Sequence, residues 1–375
     1  MRTTRRELLG RAAVLAAGMS VSTEGWAQGP PLPASHLTVK PGPVPARATM
    51  MAVSTLVPRS ATAVSLVDED TGKEVSGQIQ GSGMGRQVLW LEDELAPGKE
   101  KRYRLRYVLN GPRPSASVAV AQPKGDTVEV SVDGRLFTRY VFQGAPKPYL
   151  YPLMGPTGKP LNRDYPMKEV AGEDQDHPHQ RCLWFTHGAV NSVDYWTEGA
   201  GKGRIVHRRF TALEGGPLMG RIVAESDWVD PKGARVLQDT REVRIIGTPL
   251  GPVMDFQVVL KPVDGPVTFG DTKEGTFGFR VASSMDVTRK QGGRIVTSRG
   301  LKDVAAWGKP AEWVDYSGPV DGARLGLAIM DHPDSFRHPT PWHVRDYGLF
   351  AANPFGLHDF DAAKPEHAGD FVLEK

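Results

Sequence analysis

Two histidine-bearing segments, far apart in the chain, hold residue types that move protons or bind metals. The first, Asp174-Gln-Asp-His-Pro-His-Gln-Arg-Cys-Leu-Trp-Phe-Thr-His-Gly188, carries His177, His179 and His187. The second, Asp331-His-Pro-Asp-Ser-Phe-Arg-His-Pro-Thr-Pro-Trp-His-Val-Arg-Asp-Tyr-Gly348, carries His332, His338 and His343, with Arg337 and Arg345. Both contain Asp-His-Pro. A proline after a histidine favours an extended backbone at that histidine and disfavours helix. Both segments therefore read as structured loops or strand ends, where functional groups concentrate on a rigid scaffold.

His177 and His179, two apart in an extended chain, point to the same side and can converge on one ligand. Three readings compete: an acid/base pair on a sugar, a metal site holding a divalent cation, and packed imidazoles bonded to Asp174 or Asp176. A cupin-type metal site would need Glu shortly after the His-x-His, and Leu183 and Trp184 occupy those places. A third polar segment, Phe269-Gly-Asp-Thr-Lys-Glu-Gly-Thr-Phe-Gly-Phe-Arg280, sets Asp271, Lys273, Glu274 and Arg280 among glycines. It is either a tuned Lys/Glu pair or a solvated turn. Trp184, Tyr195-Trp196 and Trp342 lie near these clusters in sequence and suit a sugar's apolar face, or else form core. Cys182 is expected to be a buried, inert thiol.

These residues need a scaffold, and the sequence reads as almost entirely β. Apolar residues alternate in Tyr103–Leu109, Thr127–Val132, Arg204–Phe210, Glu242–Ile246, Met254–Leu260, Phe277–Ala282 and Arg324–Met330. This period of two places them on one face of a sheet. Gly, Pro, Asp and Asn punctuate the runs. No long amphipathic helix is evident. The expected domains are a linker over 28–48, a small β-sandwich over 49–112, and a large antiparallel supersandwich over 120–375.

Composition excludes several classes. Among 375 residues, Lys+Arg is 46 and Asp+Glu 43, a formal charge of +3, which gives no signal for a polyanionic partner. A single cysteine excludes an internal disulfide and any multi-cysteine metal site. The first 27 residues read as a twin-arginine export signal, with Thr4-Arg-Arg-Glu-Leu-Leu9, a weakly apolar stretch, and small residues before Gln28. This implies a periplasmic protein with no membrane insertion after cleavage.

The segments Asp176–Gly188 with Asn191 and Asp194-Tyr-Trp196, Gly270–Gly275 with Phe279-Arg280, Trp313–Gly318, and Trp342–Gly356 resemble the signature of the DUF6807 family. The resemblance covers roughly residues 110–370. Where that family commonly has a second histidine, this chain has Gln180. Its members are often labelled methane oxygenases. The resemblance implies a fold similar to the galactose-mutarotase supersandwich, which hosts epimerases, lyases and sugar-binding domains.

The expected function is therefore proton transfer on a sugar or modified glycoside by an exported enzyme. The alternatives are a non-catalytic glycan-binding protein and a metal-dependent oxygenase. The expected catalytic set is His177, His179, Glu274 and His343. Arg181, His187, Asp271, Arg280, His338, Arg345, Trp184 and Trp342 are expected to bind a carbohydrate or other small substrate. If a divalent metal is present, His177 and His179 are its expected ligands. No nucleic-acid partner is expected.

Overall fold

The computed structural model describes residues 8–12, 20–23, 35–81 and 86–375. The fold is all-β and antiparallel throughout. The runs that alternate in sequence are strands, among them Lys101–Leu109, Thr127–Val132, Arg204–Glu214, Arg235–Ile246, Val253–Pro262, Gly275–Arg280 and Ala323–Met330. Among the described residues no helix is long and apolar enough to cross a membrane. Of the expected export signal, Arg5-Arg6 and Gly25–Ala27 lie outside the described residues. Leu8–Ala12 and Ser20–Thr23 are short edge strands.

The N-terminal unit is one seven-stranded sheet. Leu37 and Val39, near one edge, and Met51, on the strand at the other edge, share one core with Leu66, Trp90 and Tyr103. The sheet must therefore roll over on itself. The segment 28–48 is not simply a linker. His36–Lys40 is a strand whose Leu37 and Val39 are buried. The surrounding Pro and Gly hid that short alternation. Gln78 stitches this unit to the next, its Nε2 donating to the Met219 carbonyl (2.9 Å) and its Oε1 accepting from the amides of Leu218 (3.0 Å) and Met219 (2.9 Å). A Cβ on Gly216 would come within 2.4 Å of that amide, so a side chain there would displace Gln78 from the seam.

The large unit is a sandwich of a five-stranded and an eight-stranded sheet. The faces of the eight-stranded sheet follow directly from its register. One row across it reads Val344, Phe350, Phe279, Leu183, Leu150, Tyr140. All six belong to the main core, where fully burying each large apolar side chain contributes about 2–3 kcal/mol. The neighbouring row reads His343, Ala351, Gly278, Trp184, Tyr149, Val141. Successive residues of a strand face opposite ways, so this row looks away from the core.

The five-stranded sheet closes the inner face. Phe256 packs on Phe277 at 4.9 Å, and Trp228 meets Phe185 edge-on at 6.3 Å. A buried ion pair, Asp239 with Arg241, also spans the two sheets. Arg241 donates to the carbonyls of Pro148 and Phe185, and Trp228 Nε1 donates to Asp239.

Candidate active site on the outer face of the eight-stranded sheet

The outer row carries small residues, Ala351 and Gly278, between His343 and Trp184. Gly278 is obligatory here: a Cβ would lie 2.6 Å from the Trp184 ring. Trp184 fills that space and packs in turn against Trp196, 5.2 Å away. With Tyr149, Leu349 and Ala351 they make a hydrophobic floor. Loops at 151–182, 270–274 and 345–348 bring the polar groups over it.

The best-defined of these groups is an Asp/His pair. Asp176 Oδ1 receives two buried guanidiniums, Arg163 Nη1 and Arg280 Nη2 (3.2 Å). Its Oδ2 lies 2.5 Å from His177 Nδ1. Burial pushes the Asp176 carboxyl up, but Arg280, His177 and Arg163 outweigh it and hold it below the usual carboxylate range. The carboxylate can only accept, so Nδ1–H donates to it and Nε2 is the ring nitrogen that points away from the pair. The His177 ring stacks on Tyr347 (5.3 Å, 8° between planes) and is 40% exposed.

Its backbone departs from the expectation drawn from Pro178. His177 is left-handed (φ +45°), not extended. That conformation costs about 1 kcal/mol in an L-residue, and Arg163 Nη2 holds it by donating to the His177 carbonyl (3.1 Å).

His179 sits 5.6 Å from His177, edge to face. Burial, with Lys147 and His177 nearby, lowers it to about 4, so it is neutral at pH 7. Behind it Glu198 accepts a bidentate Arg181 (2.9 and 2.8 Å) and Lys147 (3.0 Å). Burial lowers Lys147 to about 8 against the pull of Glu198.

Glu274, unlike Asp271, whose carboxylate accepts backbone amides, has only a distant cation beside its carboxyl: Lys273 stands off at 3.9 Å. Burial raises its pKa, with Lys273 and His177 opposing. His343 is buried and neutral, lowered to about 3 by burial and then by Arg345. Tyr347 links the set: Arg280 and Arg345 lie over its ring at 5.1 and 5.3 Å, and Gln180 Oε1 accepts from Arg280 (2.6 Å).

The structure thus brings together His177, His179, Arg181, Glu274, Arg280, His343 and Arg345. It sets four other expected residues apart. His187 is fully buried, with Nε2 donating to the Gly270 carbonyl (2.8 Å) between Phe269 and Phe355, and burial lowers it to about 4. Asp271 ties loops together by accepting the amides of His358 and Gly369. His338 pairs with Asp331 (2.9 Å) beside a cavity of about 90 Å³ lined by Phe277, Phe336 and Trp342. Trp342 faces the inner core, opposite Ala352. Trp184 is on the outer face but only 1% exposed, so it is floor and offers no stacking surface. Cys182 is buried, and burial raises its thiol well above the usual value.

Sequence reading missed Arg163, Tyr347, Lys147 and Glu198. Arg163 lies within Asn162-Arg163-Asp164, a polar triplet beside prolines that was the available signal.

Among the described residues, no group of three or more His, Cys, Asp or Glu side chains is arranged to hold a metal ion. Asp176, the carboxylate beside the two imidazoles, is already saturated by two arginines and His177.

Residues 127–375, which include every residue of this site, match DUF6807, described as a family of unknown function. No curated protein and no solved structure matches the chain. The chain belongs to the DUF6807 family.

Proposed function

We propose that the outer face of the eight-stranded sheet is the active site of an exported enzyme that transfers protons on a carbohydrate. The observation that carries this reading is which groups remain unengaged. Asp176, Asp194, Glu198 and Asp271 are each committed to arginine, lysine, hydroxyl or backbone partners. His177 Nε2 and the Glu274 carboxyl are not. An oriented imidazole with a free lone pair is a general base. A partly buried carboxyl with a raised pKa keeps its proton to higher pH and is a general acid.

This composition favours proton transfer at carbon, as in an epimerase or a lyase. Hydrolysis in the usual manner needs two free carboxyl groups across the scissile bond; Glu274 is partly exposed, whereas Asp286, raised to about 7 by burial, is only 1% exposed and out of a substrate's reach. Within the set, Asp176 is a positioning residue that fixes the tautomer and tilt of His177. Arg163 and Arg280 position Asp176. Buried Trp184 and Trp342 supply no platform of the kind a glycan-binding module uses.

The test is a pH–rate profile on a panel of sugars and glycosides, for the native protein and Glu274→Gln. The reading expects a rate that falls as pH rises through the Glu274 titration. It also expects a loss of about 10²-fold or more in Glu274→Gln. No turnover on any sugar, or an unchanged profile in the variant, would overturn it.

A further inference from the structure

The cations of the site are unevenly matched by carboxylates. Arg163 and Arg280 share Asp176, and Arg181 and Lys147 share Glu198. Each carboxylate therefore serves two cations. On the open side, Lys273 has only distant partners, Glu274 at 3.9 Å and Asp359 at 3.8 Å. Arg345 has no carboxylate within ion-pair distance among the described residues. Its guanidinium meets two rings instead, Trp307 at 5.7 Å and Tyr347 at 5.3 Å. Rings fix the plane of a guanidinium and leave its forked N–H edge free, the edge that binds a carboxylate through two parallel hydrogen bonds. Arg345 and Lys273 both lie close enough to buried His343 to oppose its protonation, and His343 hydrogen-bonds the Lys273 backbone. Arg345 also meets the Tyr347 ring, on which His177 stacks.

We infer that the sugar handled at this site carries a carboxylate, and that Arg345, assisted by Lys273, binds it. The inference rests on the proton-transfer reading and deepens it. A neutral sugar C–H is far too weak an acid for an imidazole. On the carbon that bears a carboxylate, the same C–H becomes removable once a cation neutralises that group. His177 Nε2 takes the proton, and the C–H electron pair moves into the carboxylate as an enediolate held by Arg345. The pair then returns to carbon with a proton given by the Glu274 carboxyl on the opposite face, inverting the centre. Alternatively it forms a C=C bond as the neighbouring C–O bond breaks, and Glu274 protonates the departing oxygen. Both outcomes balance without an added oxidant or reductant.

Calorimetric binding at low salt tests this independently of turnover. The probes are an oligosaccharide of uronic acids, its carboxyl-reduced neutral counterpart, and a sulfated oligosaccharide of the same ring. The uronate should bind about tenfold or more tighter than the neutral sugar. Arg345→Ala should abolish that preference and Arg345→Lys should retain part of it, with the melting temperature of each variant confirming the fold. Equal binding of uronate and neutral sugar, preference for the sulfated sugar, or an undiminished uronate preference in Arg345→Ala would overturn the inference. The two claims fail differently. Arg345-dependent uronate binding with no proton exchange sinks the catalytic reading alone. Proton transfer on neutral sugars sinks the carboxylate alone.

Discussion

The chain uses Asp-His-Pro twice, and the two copies come to different ends. At Asp176-His177-Pro178 the histidine pairs with the aspartate just before it, the aspartate is anchored by two buried arginines, and the ring stands 40% exposed. At Asp331-His332-Pro333 the aspartate ignores its neighbour. Asp331 accepts His338 Nδ1 (2.9 Å) and the Thr340 amide (2.8 Å). His332 turns instead to the Asp334 amide. Among the described residues no arginine or lysine pairs with Asp331, and burial raises its pKa. A tripeptide supplies the same groups in both places. What separates them is the second layer: arginines that keep one carboxylate ionised and open, against amides that fold the other into a corner beside an apolar cavity.

The largest contrast should appear in turnover. Replacing His177 by Ala should lower the rate by about 10²- to 10⁴-fold, as expected for loss of a general base, whereas His338→Ala should leave it nearly unchanged. Steady-state rates on the active sugar check this, and equal losses in both variants would erase the distinction. Stability should separate the corners next. Asp176→Ala leaves Arg163 and Arg280 without their shared carboxylate and should destabilise by about 3 kcal/mol. Asp331→Asn preserves an acceptor for Thr340 and should cost under about 1 kcal/mol. Urea unfolding measures both, and the order of the two costs is the point at issue.

A smaller effect concerns pH. An unfolded histidine titrates near 6.5, while buried His187 is lowered to about 4. Between those values the unfolded chain binds the extra proton, so stability falls as pH drops from about 6.5 toward 4. At pH 5 the single group contributes about 2 kcal/mol of that loss. His187→Phe should therefore be less stable at pH 7, having lost the bond to Gly270, but its stability should decline less between pH 7 and pH 5. An unchanged slope would show that other groups dominate acid unfolding.

The strands were legible because alternation is local. Val128 and Val130, or Phe256, Val258 and Leu260, announce a buried face within a few residues. The site was legible in part. His177 and His179 stand out by type and spacing, and Glu274 by its place among glycines. The partners that give them their character do not. Gln180 and Arg280 meet across 100 positions, and Asp176 and Arg280 across 104. Arg163 sits in a loop with no period to read. His187 and His338 failed as site residues for a related reason: imidazoles look alike in sequence whether they face solvent or a backbone carbonyl. Trp342 was readable in principle. It alternates with His343 along one short strand, so the two cannot face the same way.

If His177 is a base at carbon, proton exchange reads that step directly. The native protein and His177→Gln are incubated with a uronic-acid oligosaccharide in D₂O, and deuterium entering the ring is followed by NMR. Should the account hold, the native protein labels the carbon bearing the carboxylate, in substrate or product, and His177→Gln labels it about 10²-fold more slowly or worse. Exchange at the same rate in both proteins, or none with the native protein, would contradict it.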